Sequence, residues 1–121
     1  MTIEEKKKFI KKSKVVNDVE FFEIIRDCSN KDIPIRKQSR IGKTYLGVFG
    51  IFKTGTISFN WRLIQLGTGI KMEEYNTIKD CIDICQRLFL LDIDWNFNVL
   101  EYYNSLPFLL KSEARQIAYS L

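Results

Sequence analysis

The amino-acid sequence predicts an α+β domain in which a small antiparallel sheet packs against N-terminal and C-terminal helices. All six glycines lie between Gly42 and Gly69, which favours turns and strands there and helices in the flanking thirds, because glycine is unfavourable inside helices. Strict alternation of apolar and polar residues from 56 to 63 is typical of a half-buried strand. Apolar residues also recur at helical spacing between residues 78 and 89.

A central β-hairpin at about residues 45–63 is the clearest predicted element. The apolar run of residues 45–52 is followed by a turn, Lys53-Thr54-Gly55, and then by the alternating strand. The apolar side of that second strand consists of Ile57, Phe59, Trp61 and Leu63. Such a strand buries one face and leaves the other in water.

Two helices are predicted before the hairpin. The lysine-rich stretch from Ile3 to Lys14 has a narrow apolar face, which indicates a surface helix. A second helix is expected to begin after Asn17, which can cap it, to carry apolar residues as far as Cys28, and to end at Ser29-Asn30. Residues 31–44 are polar and basic and are predicted to be a connection.

Further elements are predicted after the hairpin. Thr77 can cap a helix that carries Cys81 and Cys85 on its apolar face. Residues 92–98 alternate in polarity and are expected to be extended, and a short helix that ends at Pro107 should follow them. A last helix is predicted from Ser112, with Ala114, Ile117, Ala118 and Leu121 facing inward. No linker divides the chain, so residues 1–121 are expected to form a single domain.

The composition excludes several kinds of chemistry. There is no histidine, so neither a Ser-His-Asp nor a Cys-His nucleophile can be assembled within this chain. The three cysteines are too few for a Cys-only zinc site, and Cys81 and Cys85 are expected to be reduced core residues. We therefore expect no catalytic residue, no metal, no cofactor and no enzymatic activity in the isolated chain. No segment resembles a signal peptide or a membrane span, so a cytoplasmic location is expected.

Two short motifs match known sites only in part. Gly42-Lys43-Thr44 resembles the end of a phosphate-binding loop, but the earlier glycine is absent and a strand is predicted where that loop needs a helix. Residues 92–98 carry oxygen ligands at alternate positions, yet Phe97 and Tyr103 occupy the positions where a calcium loop needs glycine and glutamate. A solvated strand face explains the second motif better, although Asp92 and Asp94 remain candidates for a shared metal site in a larger assembly.

Positive charge is concentrated in the first half of the chain. Residues 1–60 contain 13 basic and 7 acidic residues, whereas residues 61–121 contain 6 and 8. A basic patch attracts phosphates, and this asymmetry predicts a nucleic-acid-binding surface. Its expected members are Lys8, Lys11, Lys12, Arg36, Lys37, Arg40 and Lys43.

Three functional hypotheses follow from the sequence. The first is a small non-enzymatic binding protein whose basic half contacts nucleic acid or a nucleoprotein complex, as a regulator or inhibitor of a nucleic-acid enzyme. The second is an interaction module of the immunity or antitoxin kind, which binds a protein with an acidic surface. The third is a subunit of a larger metal-dependent enzyme.

Overall fold

The protein has an α+β fold, and the described part of the chain contains a five-stranded antiparallel sheet, one N-terminal helix and three C-terminal helices. The computed structural model describes residues 1–25, 36–55 and 60–120. The elements in chain order are α1 (Ile3–Lys12), β1 (Val16–Ile25), β2 (Arg36–Tyr45), β3 (Phe49–Lys53), β4 (Trp61–Gln65), β5 (Ile70–Tyr75), α2 (Ile78–Phe89), α3 (Leu100–Asn104) and α4 (Phe108–Ala118).

The strands follow one another across the sheet in the order β1-β2-β3-β4-β5, and each is antiparallel to its neighbour. Three residues, Leu46, Gly47 and Val48, connect β2 to β3, and the φ angles of Leu46 and Gly47 are 57° and 72°. Two successive positive φ angles are typical of the type I′ turn, whose twist matches that of the strands it joins. This turn places Tyr45 opposite Phe49.

One face of the sheet is covered by helix α2. Phe49, Ile51 and Leu63 on the strands are fully buried against this helix. The helix contributes Cys81, Ile84, Cys85 and Leu88, each of them fully buried. Thr77 caps the helix as the sequence predicts, because its hydroxyl accepts a hydrogen bond from the Asp80 amide at 3.1 Å.

The other face is buried because the sheet curls. The Ile24 amide on β1 donates a hydrogen bond to the Gly69 carbonyl beside β5, at 2.8 Å, so the first and last strands meet. This contact encloses a second, smaller core formed by Phe21, Phe52 and Ile64. No helix is needed over this face, since the sheet itself removes these side chains from water.

The predicted helix at Asn17–Cys28 is wrong, because residues 16–25 form strand β1. Phe21 and Glu23 point into the curl of the sheet, whereas Phe22 between them is 54% exposed, which is the alternation of a strand. The apolar residues of this segment satisfy both periods, and pairing with β2 decides between them. Cys28 lies outside the described residues.

The predicted basic connection is wrong from residue 36 onward, because residues 36–45 form strand β2. Its charged side chains are compatible with a strand since β1 provides the apolar neighbours and water solvates most of the rest. Residues 31–35 lie outside the described part of the chain.

The first strand of the predicted hairpin, residues 45–52, begins too early, because Tyr45 ends β2 and residues 46–48 form a turn. The rest of the predicted hairpin is found as the β3–β4 pair, in which Lys53 lies opposite Trp61 and Ile51 opposite Leu63. Its predicted second strand begins earlier than β4, and residues 56–59, which include Ile57 and Phe59, lie outside the described ranges. The surface helix α1 is also confirmed, since it contains no fully buried residue.

The C-terminal predictions are partly wrong. Residues 92–98 form an irregular segment with a turn at residues 95–96 instead of a strand. The last helix begins at Phe108 instead of at Ser112, and Pro107 occupies its N-cap position without a side-chain hydrogen bond. Helix α3 already ends at Asn104, before Pro107. The inward positions Ala114 and Ala118 are confirmed as buried, whereas Leu121 lies outside the described residues. Among the described residues, every helix is too short or too polar to cross a lipid bilayer.

Candidate functional sites

Helix α1 presents a row of exposed lysines. Lys8, Lys11 and Lys12 are all exposed, and none forms an ion pair with another described residue. Residues three and four apart are neighbours on a helix, with about 5–6 Å between their Cβ atoms. The row is therefore a compact group of uncompensated positive charges, which we call the α1 lysine row.

The helix is held at its N-terminus and by two side-chain contacts along its length, although its lysines repel one another. Thr2 and Glu5 form a reciprocal capping box at the N-terminus, with both hydrogen bonds at 3.1 Å. The Phe9 ring stacks on Phe89 with ring centroids 5.5 Å apart. The Lys6 ammonium donates a hydrogen bond to the Leu91 carbonyl beyond the end of α2. These contacts leave the lysine row on the solvent side.

The predicted basic residues of β2 do not form one patch with this row. Arg36 and Lys37 are exposed at the start of the strand, roughly 20 Å from Lys43 at about 3.3 Å per residue. Lys43 lies at the end nearest α1, where its ammonium donates a hydrogen bond of 2.6 Å to the side-chain oxygen of Asn17.

Arg40 belongs to a charged network inside the curled sheet. Its guanidinium lies 3.1 Å from a carboxylate oxygen of Glu23, which is only 2% exposed. Arg62 bonds the other Glu23 oxygen at 2.6 Å and also contacts Glu74. Both guanidinium groups lie over the Phe52 ring, at 5.1 and 5.7 Å. Because two arginines neutralise two carboxylates, the network is balanced, and Arg40 is committed to it.

The network also shifts the protonation of Arg62. Burial by itself lowers the pKa of Arg62, but the hydrogen bonds with Glu23 and Glu74 raise that pKa by more, so the net change is upward. The guanidinium therefore stays charged, and its pairing with the buried carboxylate persists.

A large groove lies between β5 and the helices α3 and α4. Its volume is about 590 Å³, within the range of small-molecule sites at ~300–1,000 Å³. Buried Trp95, Ala114 and Ala118 form its floor. Phe97 and Tyr103 line its wall, and their rings lie 6.0 Å apart. We call this feature the aromatic groove.

Strand β4 holds the floor of the aromatic groove through Gln65. Its amide nitrogen donates to the carbonyl oxygens of Trp95 and Phe97, both at 2.7 Å, and its amide oxygen accepts two hydrogen bonds from Thr68. All of the hydrogen-bonding capacity of this buried amide is therefore used. Gly67 is required beside it, because a Cβ atom there would collide with the Phe97 carbonyl.

Two aromatic side chains fix the helices around the groove. The Trp95 indole donates to the Leu88 carbonyl at the end of α2, at 2.8 Å. The Tyr75 hydroxyl donates to the Ala118 carbonyl at the end of α4, at 2.7 Å. The groove is thus preformed by buried hydrogen bonds from both the sheet and the helices.

The charge around the groove has a single sign. Three of its lining residues, Lys71, Lys111 and Arg115, are basic, and none of the described lining residues is acidic. Glu73 and Glu113 belong to the same elements but lie outside the lining. The groove therefore combines an apolar floor with a positive rim.

The Tyr103 hydroxyl is a further polar group of the groove. Burial raises the pKa of Tyr103, and Arg115 lowers it by less, so the hydroxyl is protonated at neutral pH. It forms no hydrogen bond with another described residue and is available as a donor.

The two cysteines of α2 are free and fully buried, as predicted. Burial raises the pKa of Cys81 to about 12, and it also raises the pKa of Cys85, so neither thiol is activated as a nucleophile. Asp94 accepts a hydrogen bond from the Asn96 amide at 3.0 Å. Within the described ranges, no group of three or more potential metal ligands comes together.

Sequence reasoning missed the aromatic groove because its parts come from β5, from residues 95–97 and from two helices. Its aromatic residues are visible in the sequence, but their spacing also suits an ordinary core. Phe108 and Tyr119 are 78% and 61% exposed at the groove, but the exposure of an aromatic residue cannot be read from a sequence pattern. Comparisons with protein families, curated proteins and solved structures found no match to this chain.

Proposed function

We propose that the protein is a non-enzymatic binding protein that contacts nucleic acid, alone or in a nucleoprotein complex, through the α1 lysine row. The observation that carries this proposal is the exposure of Lys8, Lys11 and Lys12 without an ion-pair partner among the described residues. A polyanion that neutralises these charges releases its condensed counterions, which favours binding.

The energetics of α1 support this role. Like charges three and four residues apart destabilise a helix by roughly 0.2–0.5 kcal/mol per pair. The helix nevertheless keeps them, with a capping box at one end and two side-chain contacts to the region around the end of α2. Bound phosphates would remove this repulsion, so binding should also stabilise the helix.

The basic residues of β2 play different parts in this proposal. Lys43 is hydrogen-bonded to Asn17 and lies apart from the lysine row, whereas Arg36 and Lys37 offer a second contact at the other end of the strand. Arg40 contributes least, because its guanidinium is already paired with Glu23. Lysine delivers charge without reading base edges, so we expect weak sequence preference.

The test compares two double variants that have the same net charge. Lys8→Glu/Lys12→Glu reverses the row, and Lys53→Glu/Lys79→Glu reverses two exposed lysines elsewhere, so each variant changes the net charge from +4 to zero. Binding to single- and double-stranded DNA and RNA is followed by fluorescence anisotropy at low salt. Loss of affinity only in the α1 variant supports the proposal. Equal losses in both variants, or no binding by the wild-type protein, would contradict it.

A second candidate function is the interaction module that binds an acidic protein surface. The outer face of the β1–β2 pair favours it, because Phe22 is 54% and Ile41 72% exposed beside Lys37 and Lys43. Exposed apolar side chains next to cations fit a partner that is apolar with an acidic rim. Ile41→Asp should abolish capture of such a partner without changing the affinity for nucleic acid. Unchanged capture would contradict this candidate.

The compartment is also a proposal. The two buried thiols suit a reducing environment such as the cytoplasm, where cysteines remain unpaired.

A further inference from the structure

We propose that the aromatic groove binds a small amphipathic anion, with a flat apolar body on the groove floor and a carboxylate or phosphate at the rim. This site is separate from the α1 lysine row, and the inference does not depend on the proposed function. It rests on the complementarity between an apolar, preformed floor and a rim whose charge has a single sign.

The floor suits a flat apolar body. Phe97 and Tyr103 form a continuous aromatic wall above the buried Trp95, with centroid separations of 6.0 to 6.3 Å among the three rings. Aromatic surfaces favour offset stacking of a further ring at comparable distances. Phe108 and Tyr119, 78% and 61% exposed at the rim, would become covered by such a ligand.

The rim suits an acidic end group. Arg115 presents a planar guanidinium that can bind a carboxylate or a phosphate with two parallel hydrogen bonds. Lys71 has no ion-pair partner among the described residues. Lys111 donates one hydrogen bond to the Asn104 carbonyl at 3.1 Å, which positions its ammonium and leaves two donors for a ligand.

The hydrogen bonds around the groove hold its walls in place, which distinguishes it from a gap left by imperfect packing. Gln65 fixes residues 95 and 97, and Tyr75 fixes the end of α4, so the walls are held apart by satisfied buried groups. A preformed apolar site with a few available polar groups is typical of small-molecule binding sites. The available groups here are Tyr103, Lys71, Lys111 and Arg115.

The experiment uses three naphthyl compounds that differ only in the end group. We titrate the full-length protein with 1-naphthoate, 1-naphthyl phosphate and neutral 1-naphthamide by calorimetry. We expect at least one anion to bind roughly tenfold more tightly than the amide, and the stronger anion identifies the end group. Equal affinity for the three compounds, or no binding of either anion, would overturn the proposal.

Variants locate the site. Lys71→Gln/Arg115→Gln should remove the preference for the anion while the affinity for naphthamide stays unchanged. Lys53→Gln/Lys79→Gln, the matched control, should keep the preference. Ser112→Trp should weaken binding of all three compounds because it fills the groove from its edge. An unchanged preference in the Lys71/Arg115 variant would overturn the assignment.

Two further measurements distinguish this inference from the proposed nucleic-acid binding and from occupation of the groove by a second copy of the chain. The Lys8→Glu/Lys12→Glu variant should bind naphthoate like the wild-type protein, so loss of nucleic-acid binding and loss of this site are distinguishable. A dimer that excludes naphthoate in analytical ultracentrifugation would overturn the inference in favour of a second copy of the chain in the groove.

Discussion

At the scale of single residues, the buried charge inside the curled sheet is stabilised by its ion pairs. The Glu23 carboxylate has almost no contact with water, and its two oxygens are divided between Arg40 and Arg62. Pairing offsets the desolvation of a buried charge only while every partner remains in place. The network is therefore sensitive to the loss of any one member.

Glu23→Gln should destabilise the protein by about 3–5 kcal/mol, because it leaves the Arg40 guanidinium without a countercharge and leaves Arg62 paired with Glu74 alone. Urea unfolding followed by circular dichroism measures this change in the free energy of unfolding. Glu4→Gln is the control, since Glu4 pairs with Lys7 at the surface, and it should change the free energy by less than about 0.5 kcal/mol. Similar effects of the two substitutions would contradict the account of the network.

Cys85→Ser should cost about 1–3 kcal/mol, because it places a hydroxyl group in a fully apolar part of the core. The same unfolding experiment applies. Lys79→Ser on the exposed side of α2 is the matched control, and we expect a change of less than about 0.5 kcal/mol. Rapid reaction of Cys85 with a bulky thiol reagent in the native protein would show that the residue is not buried.

At the scale of elements, the turns decide which segments meet. Gly47 lies in the turn between β2 and β3 with φ +72°, and a Cβ atom there would meet nothing within 4 Å. Gly67 lies in the turn between β4 and β5, against the backbone of Phe97. The first glycine is needed for its backbone angle and the second for space.

Gly47→Ala should therefore lower the free energy of unfolding by about 1 kcal/mol, because alanine is strained at a positive φ angle but meets no neighbouring atom. Gly67→Ala should cost more, at or above the upper end of the ~1–3 kcal/mol range for overpacking, because backbone cannot move aside as a side chain can. Thermal unfolding of both variants measures the difference, and near-ultraviolet circular dichroism reports the surroundings of Trp95. Equal losses in stability would contradict the close approach at Gly67.

The elements also show how far the sequence predicts the fold. Helix α2 and the β3–β4 hairpin follow from local patterns, because the apolar residues of α2 recur at helical spacing and the two strands of the hairpin are adjacent in the sequence. Strand β1 does not, since Phe21 is buried only when the sheet curls and Ile24 reaches Gly69. The local pattern of β1 fits both a helix and a strand, and only this long-range contact decides between them.

The same reason limits prediction of the sites. The lysines of α1 are recognisable from composition, and the structure places them on an exposed helix. Arg40 has the same charge but a different role, because its partner Glu23 lies 17 residues away on another strand. The aromatic groove joins residues from Gln65 to Tyr119, and nothing in any single segment predicts it.

At the scale of the whole molecule, the free energy of unfolding should decrease at alkaline pH. Burial raises the pKa values of Tyr75 and Cys85, and it raises that of Cys81 to about 12 from 9.0. A raised pKa means that the folded state holds the proton more tightly than the unfolded state. The corresponding stabilisation is complete below about pH 9 and is lost as the pH rises towards the pKa of the folded state.

The free energy of unfolding should accordingly fall between about pH 9 and pH 11, in urea titrations at constant ionic strength. The Cys81→Ala/Cys85→Ala variant should show a shallower decrease, because the two thiols are removed and only buried tyrosines such as Tyr75 and Tyr103 still contribute. A wild-type stability that stays constant over this range would contradict the burial of these groups.

The two proposed binding surfaces are formed by different elements of the molecule. The α1 lysine row lies on the N-terminal helix, whereas the aromatic groove is formed by β5, residues 95–97, α3 and α4. The net charge of +4 attracts any polyanion weakly, so a low-salt affinity does not by itself distinguish a site from general attraction. The salt dependence of binding, compared between variants of the α1 lysine row and of other lysines, distinguishes a specific site from general attraction.

The central claim is that phosphates contact the α1 lysine row, and its most direct test is the slope of log K against log salt concentration. Each phosphate contact contributes about −0.7 for single strands or −0.9 for duplex DNA. We predict that Lys8→Glu/Lys12→Glu reduces the steepness by about two contacts, while Lys53→Glu/Lys79→Glu leaves the slope of the wild-type protein unchanged. Identical slopes for all three proteins would contradict the claim.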